Sequence, residues 1–158
     1  MEDRVEKAVE LFKSGFNCSQ SVVAAFADMY GYTEEQALRM SASFGGGIGR
    51  MRQTCGAACG MFLLAGLESG TTDPKDREGK ASNYALVQKL ADEFKKRNGS
   101  LICAELLGLK KPEESSIPEK RTEQYYAKRP CAKMVEEAAR IWDEYLKNAR
   151  FYYNSVKK

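Results

Sequence analysis

The chain has 158 residues, a formal net charge of +3, five cysteines and no histidine. Its length suits one domain with a real core, so folding needs no disulfide, and its charge gives no strong electrostatic case for nucleic acid. Without histidine, Ser-His-Asp triads, Cys-His dyads and imidazole-ligated haem or zinc are excluded, and a bound metal has only thiolate, carboxylate or backbone to hold it.

The N-terminal run Met1-Glu2-Asp3-Arg4 has no basic stretch leading into an apolar one, so no secretory leader is expected. The first helix is expected over residues 3–13, with Val5, Ala8, Val9 and Phe12 at helical spacing and Gly15 ending it. Asn17 caps a second helix, with Gln20 placed for a capping box, running through Val22, Val23, Phe26 and Met29 to Gly31. Thr33 with Glu34 and Glu35 opens a third, carrying Ala37, Leu38 and Met40 to about Phe44.

The run Gly45-Gly46-Gly47-Ile48-Gly49-Arg50 is too glycine-rich for regular structure. It is not a dinucleotide fingerprint or a P-loop, because Arg50 stands where a glycine is needed and no Gly-Lys-Ser/Thr follows. Either it is a tight turn, or Gly46, Gly47, Gly49 and Arg50 form the wall of a cofactor site that presents N–H groups. Thr54 opens a fourth helix through Cys55, Ala58, Cys59, Phe62 and Leu63, ending between Gly66 and Gly70. Its apolar stretch, Gly60 to Leu67, is too short to span a bilayer.

A long amphipathic helix follows over residues 75–97, with Tyr84, Val87, Leu90, Ala91 and Phe94 on its apolar side and Asn98-Gly99 at its end. Lys95, Lys96 and Arg97 suit the negative end of that helix. Ser100 starts a short helix through Leu106, and residues 110–121, with Pro112 and Pro118, read as a linker-like stretch. Pro130 is a good first helical residue for a last helix to about residue 150. That helix carries Trp142 and Tyr145, with Phe151-Tyr152-Tyr153 beyond it, either a core-facing stripe or a partner surface that would suit a homodimer. The expected fold is all-α: a single-domain bundle over 1–158 of about six to seven helices with a glycine-rich loop.

Cys18, Cys55, Cys103 and Cys131 each stand at or just after a helix-start signal. The unpaired N–H groups and partial positive charge of a helix start favour a thiolate. In a reducing cytoplasm, the expected location, such cysteines are metal ligands or redox groups more often than structural disulfides. Four converging thiolates are the ligand set of an iron–sulfur cluster or of tetrahedral zinc. Cys55 stands out, with Arg50 and Arg52 nearby in sequence to favour its thiolate. Cys59, four residues on, is a resolving thiol, a spare ligand or a core residue.

The segments Gly15–Gln20, Phe44–Met51 and Thr54-Cys55-Gly56-Ala57-Ala58-Cys59-Gly60, followed by Cys103–Gly108 and Pro130-Cys131, resemble the C-GCAxxG-C-C family of redox-active proteins. The resemblance spans residues 15–131 and maps the four family cysteines onto Cys18, Cys55, Cys103 and Cys131, with Cys59 at a variable position. It implies redox activity. The related split-Soret cytochromes carry an iron–sulfur centre in a comparable domain; their haem is not carried over, since Cys-x-x-Cys-His is absent.

Three functions are therefore expected to compete. The first is an iron–sulfur or other metal-binding protein for electron transfer or redox sensing, working with a redox partner protein rather than transforming a substrate. The second is a thiol–disulfide oxidoreductase with Cys55 as nucleophile and Cys18, Cys103 or Cys131 as resolving partner. The third is a structural module, with or without zinc, that binds a protein.

Overall fold

Three helices near the N-terminus begin by the same device, a side chain that takes the first unpaired amides. Asp3 accepts from the amides of Val5 and Glu6, and Asn17 and Thr33 each close a complete capping box with Gln20 and Gln36. The structure, a computed structural model, describes residues 3–110 and 115–156, without the side chains of 151–153, 155 and 156. Among these residues lie eight helices: α1 (Arg4–Lys13), α2 (Cys18–Phe26), α3 (Glu34–Ser41), α4 (Gly56–Ser69), α5 (Arg77–Asn98), α6 (Cys103–Leu106), α7 (Glu123–Lys128) and α8 (Cys131–Val156). Single 3-10 turns extend α2 over Ala27–Tyr30 and α3 over Ala42–Phe44.

The fold is all-α, as expected, with one helix more than the expected range. The additional helix, α7, is one and a half turns long and is capped by Thr122. Six residues carry too little hydrophobic period to stand out in a sequence. Among the described residues there is no strand, only an isolated antiparallel bridge between Thr54 and Ile102. Pro112 lies outside the described residues.

Helix α2 is the central element. Seven of its nine residues are buried, and it packs against α1, α3, α4 and α8, as a helix apolar on nearly all sides must. Its crossing with α4 depends on Gly60, where a Cβ would meet Ser19 O and Val22 Cβ at 3.0 Å each. That close approach sets the starts of α2 and α4, and with them Cys18 and Cys55, at the same end of the bundle.

Helix α8 covers the core with Met134, Val135, Ala138, Ala139, Ile141, Trp142 and Leu146. Trp142 is fully buried, so it faces the core, and the half-buried Tyr145 ring packs 5.1 Å from it. The side chains of Phe151, Tyr152 and Tyr153 lie outside the described residues. Helix α5 forms an outer layer. Its buried residues are Leu90, Ala91 and Phe94, whereas Tyr84, expected on the same apolar side, is 63 % exposed, and its neighbour Asn83 is the residue that meets α4, donating to Ala65 O at 3.1 Å. No helix among the described residues is long and apolar enough to cross a membrane.

Candidate functional site

Each of the four family cysteines stands at the first turn of a different helix. Cys18 is the first residue of α2, Cys103 of α6 and Cys131 of α8, and Cys55 is the N-cap of α4. The boundaries differ slightly from those expected. Thr54 does not cap α4, and Ser100 does not cap α6: its hydroxyl accepts from the Ile102 amide at 2.9 Å and binds Glu105.

All four cysteines line one cavity of about 60 Å³, together with Gly46, Gly47, Gly56, Arg52, Arg121 and Tyr125 among others. Two kinds of contact assemble it. Residues 52–55 and 101–104 run side by side: the Cys55 amide donates to Leu101 O at 2.7 Å, Cys103 to Gln53 O at 2.6 Å and Ala104 to Arg52 O at 3.2 Å. This pairing sets Cys55 next to Cys103. The α2 cap does the rest, because Asn17 Nδ2 donates to Ala42 O at 3.0 Å and draws the glycine loop over Cys18.

The loop must be glycine where it touches the cysteines. A Cβ on Gly47 would stand 2.6 Å from the Cys103 Cβ, and one on Gly56 would stand 2.8 Å from Phe44 O and 3.4 Å from the Cys18 Cβ. The loop runs through left-handed conformations at Gly46, Gly47, Ile48, Gly49, Arg50 and Arg52, which cost little at glycine and more elsewhere. The amides of residues 48–53 are all taken by nearby carbonyls, such as Gly49 to Ser43 O at 2.7 Å and Gln53 to Gly47 O at 2.9 Å. Of the four loop residues assigned to a cofactor wall, Gly46 and Gly47 therefore face the cysteine cavity. Gly49 and Arg50 line a neighbouring cleft, and their amides are spent within the loop.

The thiols differ sharply in charge preference. Burial pushes Cys55 up to about 12, against the expectation that it holds the readiest thiolate. The Ala58 and Ala57 amides pull the other way without closing a full cap hydrogen bond, and desolvation outweighs them. Both arginines expected beside Cys55 make hydrogen bonds elsewhere. Arg52, only 5 % exposed, donates to Cys103 Sγ at 3.7 Å, and Arg50 donates to Ser115 O at 2.7 Å. Cys103 is also raised by burial, with Arg52 opposing.

Cys131 is the exception, lowered to about 7. The largest influence is the facing Cys18 thiol, whose S–H supports a thiolate there; burial opposes this, and Arg129, Arg52 and Arg121 add to it. Cys18 is correspondingly held well above the ordinary thiol range, by Cys131 first and burial second. Cys59 does not line the cavity. Its thiol points at Thr54 O, 3.8 Å away, and burial raises it to about 11.

In the reduced, metal-free protein, iodoacetamide followed by peptide mapping is expected to label Cys131 first, with a rate midpoint near pH 7. Cys55 labelling ahead of Cys131 would contradict this. Stability follows the same signs. The depressed Cys131 contributes stability that is full above the ordinary thiol value of about 8.5 and is lost as pH falls through about 7. Cys18, Cys55, Cys59 and Cys103 are raised, so their contribution is full below the ordinary thiol value and is lost as pH rises above it.

Sequence reasoning did not reach Arg121, Arg129 or Tyr125. Arg121, the last residue of the linker-like stretch, is anchored to a distant part of the chain: its guanidinium donates to Phe12 O and Phe16 O at 3.0 Å each and stacks 4.4 Å from the Phe12 ring. No local pattern marks such a residue. Arg129 had one available signal, its place two residues before Cys131.

A family profile described as "Putative redox-active protein (C_GCAxxG_C_C)" matches residues 16–145, most of the chain and all four cavity cysteines. The chain belongs to this family. Redox activity is the function that the C_GCAxxG_C_C description carries. No curated protein and no solved structure matches the chain.

Proposed function

We propose that this member of the C_GCAxxG_C_C family is an electron-transfer or redox-sensing protein whose Cys18, Cys55, Cys103 and Cys131 hold an iron–sulfur cluster. The observation that carries the reading is the convergence of four helix-start cysteines on one cavity whose lining holds no carboxylate. An all-sulfur donor set is the usual one for such clusters. Among the described residues, no three histidine, cysteine, aspartate or glutamate side chains stand close enough to hold a single metal ion. Four cysteines are also the ligand set of tetrahedral zinc, and metal and sulfide analysis separates the two.

When bound, the cluster would supply one-electron redox chemistry. The chain's own part is to supply ligands, charge and shape. Arg52 and Arg121 in the wall offset the charge of four thiolates, and Gly46 and Gly47 let the loop close over the site. Burial of Cys55 and Cys103 limits water access, which with local charge tunes the potential of such centres. A redox partner protein in the cytoplasm would exchange the electrons, and a reducing compartment suits five free cysteines.

Anaerobic reconstitution with ferrous iron and sulfide, followed by metal and sulfide analysis and visible spectroscopy, tests the reading. A coloured protein holding both iron and inorganic sulfide is expected. A colourless protein with neither rejects the proposal, and stoichiometric zinc in its place favours a structural module.

The pairing of Cys18 with Cys131 favours a second reading, a thiol–disulfide oxidoreductase. Here Cys131 replaces Cys55 as nucleophile and Cys18 is the resolving thiol, because a thiolate near neutral pH is supported at Cys131 and opposed at Cys55. A Cys18–Cys131 disulfide formed by oxidised glutathione, in a protein that takes up no iron, would select it.

A further inference from the structure

We propose that residues 115–119 form a strap that gates the four cysteines. Clasped by Glu119 to Arg50 and Arg129, the strap admits small molecules, and unclasped it admits a reactive group carried on a larger one. The strap runs along one wall of the cleft beside the cysteine cavity, contributing Ser116, Pro118 and Glu119 to it. The cleft has a volume of about 300 Å³, the size of a small-molecule site. It shares Asn17, Gly46, Arg52, Arg121 and Tyr125 with the cysteine cavity, so a reactant in the cleft lies one layer of side chains from the sulfurs.

The strap is fastened by polar contacts. Arg50 donates to Ser115 O at 2.7 Å and stands 3.7 Å from the Glu119 carboxylate, and the same carboxylate oxygen binds Arg129. Glu119 thereby ties the glycine loop, through Arg50, to the residues just ahead of Cys131, through Arg129. No apolar side chain of the strap is seated on the core: residues 115–120 are all exposed, Ile117 by 74 %. A segment with few buried apolar contacts opens at low cost. The Glu119 side chain is 45 % exposed, and ion pairs that reach solvent are weak and are weakened further by salt.

The end of the strap is fixed more firmly. Arg121, two residues after Glu119, donates to Phe12 O and Phe16 O at 3.0 Å each and stacks 4.4 Å from the Phe12 ring. Thr122 then caps α7. Release of Glu119 therefore frees residues 115–119 while Arg121 and Tyr125 stay in the cavity wall. Small ions and low-mass thiols reach the sulfurs beneath the closed strap, whereas a group delivered by a partner protein needs it open. The inference goes beyond the cluster reading and does not depend on it.

Alkylation of the reduced, metal-free protein tests the gate. Iodoacetamide is compared with the same reactive group on a polyethylene glycol chain of several kilodaltons, and rates at each cysteine are read by peptide mapping. The ratio of the large reagent's rate to the small one's cancels any change in thiolate content, because both attack by the same chemistry. Glu119→Gln is expected to raise this ratio at Cys18 and Cys131 by about tenfold, the effect of losing two modest ion pairs. Glu123→Gln, which removes the same charge from the start of α7 outside the cleft, should leave the ratio unchanged. Molar sodium chloride should raise the ratio in the wild type and have no further effect in Glu119→Gln. Cys59, buried outside the cavity, reports general loosening and should keep its wild-type ratio throughout. An unchanged ratio at Cys18 and Cys131 in Glu119→Gln, or an equal rise at Cys59, overturns the proposal. Because no metal is present, those outcomes leave the cluster reading standing, and failed iron uptake with an intact gate removes only the cluster reading.

Discussion

Replacing any one of Cys18, Cys55, Cys103 or Cys131 by serine is expected to lower the iron and sulfide retained after anaerobic reconstitution by about tenfold or more, whereas Cys59→Ala retains the wild-type amount. Loss of a supporting contact alone commonly costs about 10–100-fold in metal affinity, so loss of a ligand should cost at least as much. The contrast with Cys59 decides the matter. Both Cys55 and Cys59 are buried in the first turns of α4, and both are raised by burial. Only Cys55 lines the cavity. If Cys59→Ala loses iron as severely as the other four, the ligand assignment fails. If the four serine variants lose iron only in proportion to their loss of folded protein, read by circular dichroism on the same samples, the cysteines are packing residues rather than ligands.

Gly47→Ala is expected to destabilise the reduced protein by roughly 2–6 kcal/mol, from a strained left-handed backbone and an overpacked contact of about 1–3 kcal/mol each. The new Cβ would stand 2.6 Å from the Cys103 Cβ and 2.8 Å from both Arg52 Cα and Gln53 N. Two of these neighbours are backbone atoms in a loop tied down by its own hydrogen bonds, so little can move aside. Gly49→Ala is the control. It has the same left-handed requirement, with φ of 57°, but the nearest atom to its Cβ is Ser43 O at 4.0 Å. It should lose only about 1–2 kcal/mol. Urea unfolding of the two variants in reductant measures the difference. Equal losses would show that the loop tolerates a side chain over the cysteines and that close approach is not what Gly47 provides.

Much of the local structure was legible because it is written in neighbouring residues. Asn17 with Gln20 formed the capping box its spacing required, and Gly31 and Gly99 end their helices in the left-handed conformation that glycine permits. The resemblance carried by Cys18, the Gly45–Arg50 loop and Cys55-Gly56-Ala57 pointed to the family to which the chain belongs. The short helix α7 was missed because six residues give no reliable period.

The electrostatics of the site were not legible, and Cys55 shows why. From the sequence, a helix start and two neighbouring arginines argued for its thiolate. In the fold, Arg50 and Arg52 turn to Ser115 O and Cys103 Sγ, and the buried sulfur loses more by desolvation than the helix amides return. The thiolate preference passes to Cys131, where Cys18, Arg129, Arg52 and Arg121 meet from four separate stretches of chain.

The sequence by itself determined seven of the eight described helices, the capping boxes at Asn17 and Thr33, the glycine loop and which four cysteines begin helices, because each depends on residues a few positions apart. Only the tertiary structure decided that the four cysteines share a cavity, that Cys59 stands outside it and that four arginines line the cleft beside it. Those facts depend on the α2–α4 crossing at Gly60, the pairing of residues 52–55 with 101–104 and the anchoring of Arg121 to Phe12 and Phe16. These contacts join residues far apart in the chain, and neither the identity of a residue nor that of its neighbours specifies which distant partner will meet it.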